Sequence, residues 1–91
     1  MKTFSITVMN QEGLHARPAS RLVQLCHSYS SQINISFNHT QANAKNITEV
    51  LSLGVEDGDT IEISIEGQDE LEVFQQLSAF FKNKITKLKN Y

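Results

Sequence analysis

The sequence predicts an α+β fold, an open-faced β-sandwich in which the helices cover one side of a four-stranded, mainly antiparallel sheet. Three observations predict it. Apolar and polar residues alternate over three stretches, which marks strands with one buried face, and a shorter fourth strand follows a turn signal. Three other stretches place apolar residues at steps of three and four, the spacing of amphipathic helices. The order along the chain is β-α-β-β-α-β-α. Strands with a single apolar face need cover on one side only, so the helices belong together there and the other face stays wet.

Phe4, Ile6 and Val8, with Ser5 and Thr7 between them, form the first strand, and residues 10–13 form a loop. The first helix follows, with Ala16, Ala19, Leu22, Val23 and Cys26 facing inward. Pro18 is tolerated in its first turn, where an N–H would have no intrahelical acceptor. Ser28 to Ser31 break the pattern before Ile33, Ile35 and Phe37 resume alternation. Asn38-His39 reads as a tight turn into a third strand over Thr40 to Asn43. Asn46-Ile47-Thr48-Glu49 has the form of a capping box opening a short helix through Leu53, closed by Gly54. Asp57-Gly58 turns the chain into the clearest strand, where Ile61, Ile63 and Ile65 alternate with Glu62 and Ser64. Gly67-Gln68-Asp69 opens the last helix, with Leu71, Phe74, Leu77, Phe81, Ile85 and Leu88 inward. Asp69 and Glu70 at its start and lysines at its end suit the helix dipole.

Ninety-one residues suffice for one modest core, so residues 1–91 are expected to form a single domain. Apolar content of 40% and charged content of 20% are ordinary for a soluble globular chain. A formal net charge of −2 offers no reason to expect nucleic-acid or membrane binding. Nine of the ten acids fall between Glu49 and Glu72, and Lys82, Lys84, Lys87 and Lys89 make a basic C-terminal end. That end reads either as a solvated helix terminus or as a docking surface for an acidic partner. Cys26, the single cysteine, has no partner for an internal disulfide, and no signal-peptide core opens the chain. No apolar run approaches the roughly 20 residues that cross a bilayer, so a cytoplasmic location is expected.

The chemistry concentrates in residues 13–20, GLHARPAS. With His15 at the N-cap, the first amides of the helix have no internal acceptors and the dipole adds partial positive charge, so an anion fits there. Histidine is a poor cap beside serine, threonine, aspartate or asparagine, but it is nucleophilic near neutral pH. A phosphoryl group on His15 would meet the backbone amides of Ala16 and Arg17. The Arg17 guanidinium would add a charge-assisted hydrogen bond of about 1.5–3 kcal/mol. Gly13 would turn the loop sharply and leave the imidazole exposed, with Ala16, Ala19 and Ser20 keeping that face flat. Physics alone leaves a second reading open, an exposed histidine at a helix start with no role.

GLHARPA, followed by this element order over essentially the whole chain, resembles the HPr family, the histidine phosphocarriers of the bacterial phosphoenolpyruvate-dependent phosphotransferase system. The resemblance implies that His15 accepts phosphate on Nδ1 from phosphorylated enzyme I and passes it to an enzyme IIA. It implies that Arg17 contacts the phosphate, and that the carrier needs no cofactor of its own. Ile47 and Leu51 on the second helix, with Ser20 and Gln24 on the first, would frame the docking surface. Several branches of the family carry a serine at the start of the second helix that a regulatory kinase phosphorylates. This chain has Asn46 there, which has no hydroxyl to modify. In this the chain also resembles the nitrogen-related branch, NPr, whose partners are a dedicated enzyme I and a regulatory enzyme IIA rather than sugar permeases.

Other chemistries fit poorly. His15, His27 and His39 stand 12 residues apart, unlike the short spacings of zinc sites, so no metal is expected. Glu56, Asp57 and Asp59 read as a solvated loop, and Cys26 as core. RNA-binding sheets need aromatics on the open face, and Phe4 and Phe37 share the apolar one. A monomeric phosphocarrier is the expectation. The competing reading is a regulatory docking module with the same fold and no phosphoryl transfer.

Overall fold

The structure is a computed structural model that describes residues 1–9 and 13–81. Its elements follow the predicted order: β1 (Lys2–Thr7), α1 (Ala16–His27), β2 (Gln32–Phe37), β3 (Thr40–Asn43), α2 (Ile47–Ser52), β4 (Thr60–Glu66) and α3 (Glu70–Phe80). The sheet is antiparallel throughout in the order β1-β4-β2-β3, so β4 fills the gap between β1 and β2. Among the described strands only the β2–β3 pair is a hairpin. Its turn carries Asn38 and His39 at φ 52° and 65°, a pair of left-handed residues that matches strand twist in a two-residue turn.

Register explains why the sheet has one dry face. Phe4, Ile63, Ile35 and Ala42 lie side by side across all four strands. The neighbouring rows on the other face are polar: Ser5, Glu62, Ser36 and Gln41, then Thr3, Ser64, Asn34 and Asn43. The isoleucines of β2 and β4 are buried together with Leu22, Val23 and Cys26 of α1, Val50 of α2, and Val73, Leu77 and Phe80 of α3. Burial pushes the Cys26 thiol up to about 12, which suits a core residue and not a nucleophile.

Two helix faces differ from expectation. On α1 the buried stripe is Pro18, Ala19, Leu22, Val23 and Cys26, and Ala16 is exposed on its flank at the open first turn. On α3 Leu71 is 56% exposed, and the inward positions are Val73, Leu77 and Phe80, followed by Phe81. Phe74 is half-buried and meets Phe4 edge to face with ring centroids 4.9 Å apart. Ile85, Leu88 and the lysines of the C-terminal end lie outside the described residues.

Capping differs as well. Asn46 does cap α2, accepting the Glu49 N–H at 3.1 Å. The reciprocal half of the box is absent, because the Asn46 N–H already donates to the Asn43 carbonyl at 3.0 Å. Glu49 instead takes the Asn43 N–H at 2.8 Å, which ties α2 to the end of β3. Asp69 makes no side-chain bond to α3. Its carboxylate accepts the backbone N–H groups of Ser30 and Ser31 at 2.9 and 3.0 Å, with both hydroxyls, and so anchors the α1–β2 loop to the start of α3. The acids left to complement the α3 dipole are Glu70 and Glu72.

Replacing Asn46 with alanine removes one cap bond and should cost about 0.5–2 kcal/mol, read from the denaturation midpoint; an unchanged midpoint would remove that role. For Asp69, the Ser31 hydroxyl bond first and the Ser30 amide second hold its carboxyl below the ordinary range. Its folded value lies below its unfolded one. The stability it contributes is therefore present above the unfolded value of about 3.9 and lost as pH falls further. Asp69→Asn should melt lower than the parent at neutral pH, and the gap should narrow as pH drops from about 5 towards 2.

Candidate functional site

His15 sits where the sequence places it, at the N-cap of α1 with extended backbone (φ −85°, ψ −167°). Its carbonyl accepts the first helical bond, from Ala19 N–H at 2.9 Å. Pro18 has no N–H, so the amides of Ala16 and Arg17 are those that α1 leaves without an intrahelical acceptor. The His15 ring does not fold back to cap them. It reaches across to another loop, where Nε2 lies 3.0 Å from Glu56 Oε1. Both side chains are more than half exposed, at 58% and 61%. Arg17 is also exposed and forms no ion pair with another described residue.

The contact between His15 and Glu56 exists because two loops meet. Leu14 N–H donates to the Val55 carbonyl at 3.0 Å, just before His15 on one side and Glu56 on the other. Gly13 makes that approach possible. Its φ is +59°, and a Cβ there would stand 2.5 Å from the Val55 oxygen and 2.8 Å from the Glu56 Cα. The residue therefore serves close packing as much as turning. The partner loop is closed on itself, with Asp59 N–H donating to the Glu56 carbonyl at 3.1 Å and Glu56 N–H to Asp59 Oδ2 at 2.8 Å. Two further bonds, Val8 N–H to the Asp59 carbonyl and Gly58 N–H to the Val8 carbonyl, pin it to the end of β1.

The turn is exposed at Glu56 and Asp57, as a solvated loop is, but Glu56 and Asp59 each also have a definite partner. Asp59 shapes the turn and Glu56 faces the histidine. A sequence separation of 41 between His15 and Glu56 carries no spacing signal, so only the fold could bring them together. Ala19 is the other revision: it is fully buried and leaves Ala16 and Ser20 as the small residues of the outer face.

The remaining expected residues line an adjoining surface. His27, at the far end of α1, hydrogen-bonds through Nε2 to the Lys45 carbonyl at 2.7 Å, just ahead of α2. With Leu14 bonded to Val55 beyond the other end, α2 runs antiparallel to α1, and its Leu51 lies towards the His15 end. Ser20 and Gln24 are exposed on α1, and Ile47 and Leu51 are exposed apolar residues on α2. Among the described residues no helix is long and apolar enough to cross a membrane.

The one-sided sandwich thus sets an exposed imidazole directly ahead of helix amides that have no intrahelical acceptor. Comparison with known proteins names the family. The model of the PTS HPr component phosphorylation site matches residues 2–83. The phosphocarrier protein HPr of Xylella fastidiosa is 37% identical over 84 residues, 92% of this chain and 94% of that one. HPr of Cupriavidus necator is 37% identical over 78 residues, 86% of this chain and 88% of that one. The crystal structure of HPr from Thermoanaerobacter tengcongensis superposes with a TM-score of 0.89 at 40% identity, covering 92% of this chain and 94% of that one. The chain belongs to the HPr family: it is a phosphocarrier of the phosphotransferase system and works with other proteins of that system.

Gly13→Ala tests the loop contact. It combines a strained backbone with a clash against main chain that no side-chain rotation relieves, and should cost about 1–3 kcal/mol in denaturant unfolding. Full retention of stability would show that the two loops do not approach as described.

Proposed function

We propose that His15 is the phosphoryl acceptor, that phosphorylated enzyme I supplies the group, and that an enzyme IIA takes it on. The observation that carries this reading is the place of His15 at the N-cap of α1, exposed and making no bond to the amides that lack intrahelical acceptors. A phosphoryl group on the ring brings its oxygens to those amides, at Ala16 and Arg17, where the helix dipole favours negative charge. The Arg17 guanidinium, free of other described partners, binds the same oxygens. Because the group is passed on, the site must hold it without enclosing it, and open geometry at a helix start does that. The protein acts in the cytoplasm and needs no cofactor of its own.

Docking uses the surface beside the histidine. Ile47 and Leu51 provide apolar contact, with Ser20 and Gln24 as the polar border. A flat patch of this kind suits partners that must bind, exchange a phosphoryl group and leave.

Incubation with phosphoenolpyruvate, magnesium and a purified enzyme I, followed by intact mass at alkaline pH, is the direct test. One added phosphate, lost in acid and absent from His15→Ala, is the expected result. Arg17→Ala should fold normally and transfer about ten-fold to a hundred-fold more slowly, the rate equivalent of one charge-assisted bond. Transfer at the parental rate would remove Arg17 from the site. No phosphate from either a sugar-branch or a nitrogen-branch enzyme I would leave the docking module as the better account.

A further inference from the structure

We propose that Glu56 is a positioning residue for phosphoryl transfer: its carboxylate holds the Nε2–H of His15, leaves the Nδ1 lone pair as acceptor, and offsets the charge the ring gains on phosphorylation. The inference rests on His15 as the phosphoryl acceptor and concerns how that histidine is made ready.

The argument begins with what the contact permits. An ionised carboxylate has no hydrogen to give, so at 3.0 Å from Glu56 Oε1 the Nε2 atom is the donor. A neutral imidazole with its proton on Nε2 has its lone pair on Nδ1. The bond thus decides both the tautomer and which nitrogen is blocked.

The chemistry balances without moving a proton. The Nδ1 lone pair attacks the phosphorus of the incoming group, the bond from phosphorus to the donor atom breaks, and its electron pair stays with the donor. The ring now bears positive charge shared between Nδ1 and the Nε2–H, next to the Glu56 carboxylate. In the onward step the Nδ1–P bond breaks and its electrons return to the ring, which leaves as neutral imidazole because Nε2 kept its proton. Loss of that proton beforehand would make the leaving group an imidazolate, which is much worse. A carboxylate at Nε2 thus favours transfer in both directions, and lies across the ring from the phosphate it would otherwise repel.

The surroundings support a fixed Glu56. Its backbone is bonded in both directions to Asp59, and the turn is pinned to β1 and to Leu14. Other charged groups at this end, among the described residues, are Arg17 on α1 and Asp57 and Asp59 in the turn. Asp59 is occupied by the Glu56 N–H, and Asp57 is exposed. Since the turn is closed by backbone groups of Glu56, Glu56→Gln and Glu56→Ala keep its framework.

Two measurements on the full chain test the proposal. The first is nitrogen-15 NMR of unphosphorylated His15 at a pH where the ring is neutral. The parent should show the Nε2-protonated form, Glu56→Ala should shift towards the tautomer mixture of free histidine, and Glu56→Gln, whose carbonyl still accepts, should retain most of the parental signature. The second is the pH profile of phosphohistidine hydrolysis. Lability belongs to the protonated ring, so it should extend to higher pH in the parent than in either variant. The offset should be about half a pH unit, the size an exposed charge pair produces. Onward transfer by both variants should fall most on the alkaline side of that profile. Identical tautomers and superimposable profiles in parent and Glu56→Ala would overturn the role of Glu56 while leaving His15 as acceptor. Failure of the parent itself to take phosphate would instead remove the acceptor, and this inference with it.

Discussion

The structure depends on one close approach, the meeting of Gly13-Leu14 with Val55-Glu56. Backbone passes backbone there at a distance that excludes any Cβ at residue 13. The approach joins the loop leading into α1 to the loop leading into β4, and these share no local sequence. It sets where α1 begins, hence where its free amides emerge, and which residue confronts the histidine. The GLH of the motif is therefore one mechanical unit. The glycine admits the neighbouring loop, Leu14 is buried and bonds it, and the histidine reaches across to it.

Side-chain carboxylates do the same kind of work elsewhere. Asp69 gathers the amides and hydroxyls of Ser30 and Ser31, Glu49 takes the amide of Asn43, and Asp59 takes the amide of Glu56. Each satisfies backbone N–H groups in a loop or at a strand end that the sheet and helices leave unpaired. Glu49, Asp59 and Asp69, three of the nine acids between Glu49 and Glu72, thus act as clamps at element ends where backbone donors lack partners. A small chain with a modest core gains order at its loops this way.

Much of the fold was legible because period and side chain agree. The isoleucines of β4 could only alternate, the Asn38-His39 turn could only be tight, and α1 could only start at His15. Strand order was not legible, since nothing in a strand's own residues says that β4 lies beside β1 and β2. On α3 the expected Leu77 and Phe81 are buried and Phe74 is half-buried; the expectation failed at Leu71, which is exposed while Val73 is buried. The site divided likewise. His15, Ala16 and Arg17 are neighbours in sequence and share a helix start, so local rules placed them. Glu56 reaches His15 through the fold alone, and a turn rich in acids gives no hint of which carboxylate is occupied.

The central place of β4 has a consequence for how the chain acquires its shape. During synthesis β1 emerges first and finds no partner; the β2–β3 hairpin can close early, but it cannot recruit β1. The sheet can be complete only once β4 is available to pair with both β1 and β2. The chain through Glu66 must leave the ribosome before the N-terminal strand is secured, and its loose edge stays available to other strands until then. Placement of β4 also carries the Val55–Glu56 loop to Gly13. The contact between His15 and Glu56 therefore depends on β4 being in place, although the two residues lie on loops far apart in sequence.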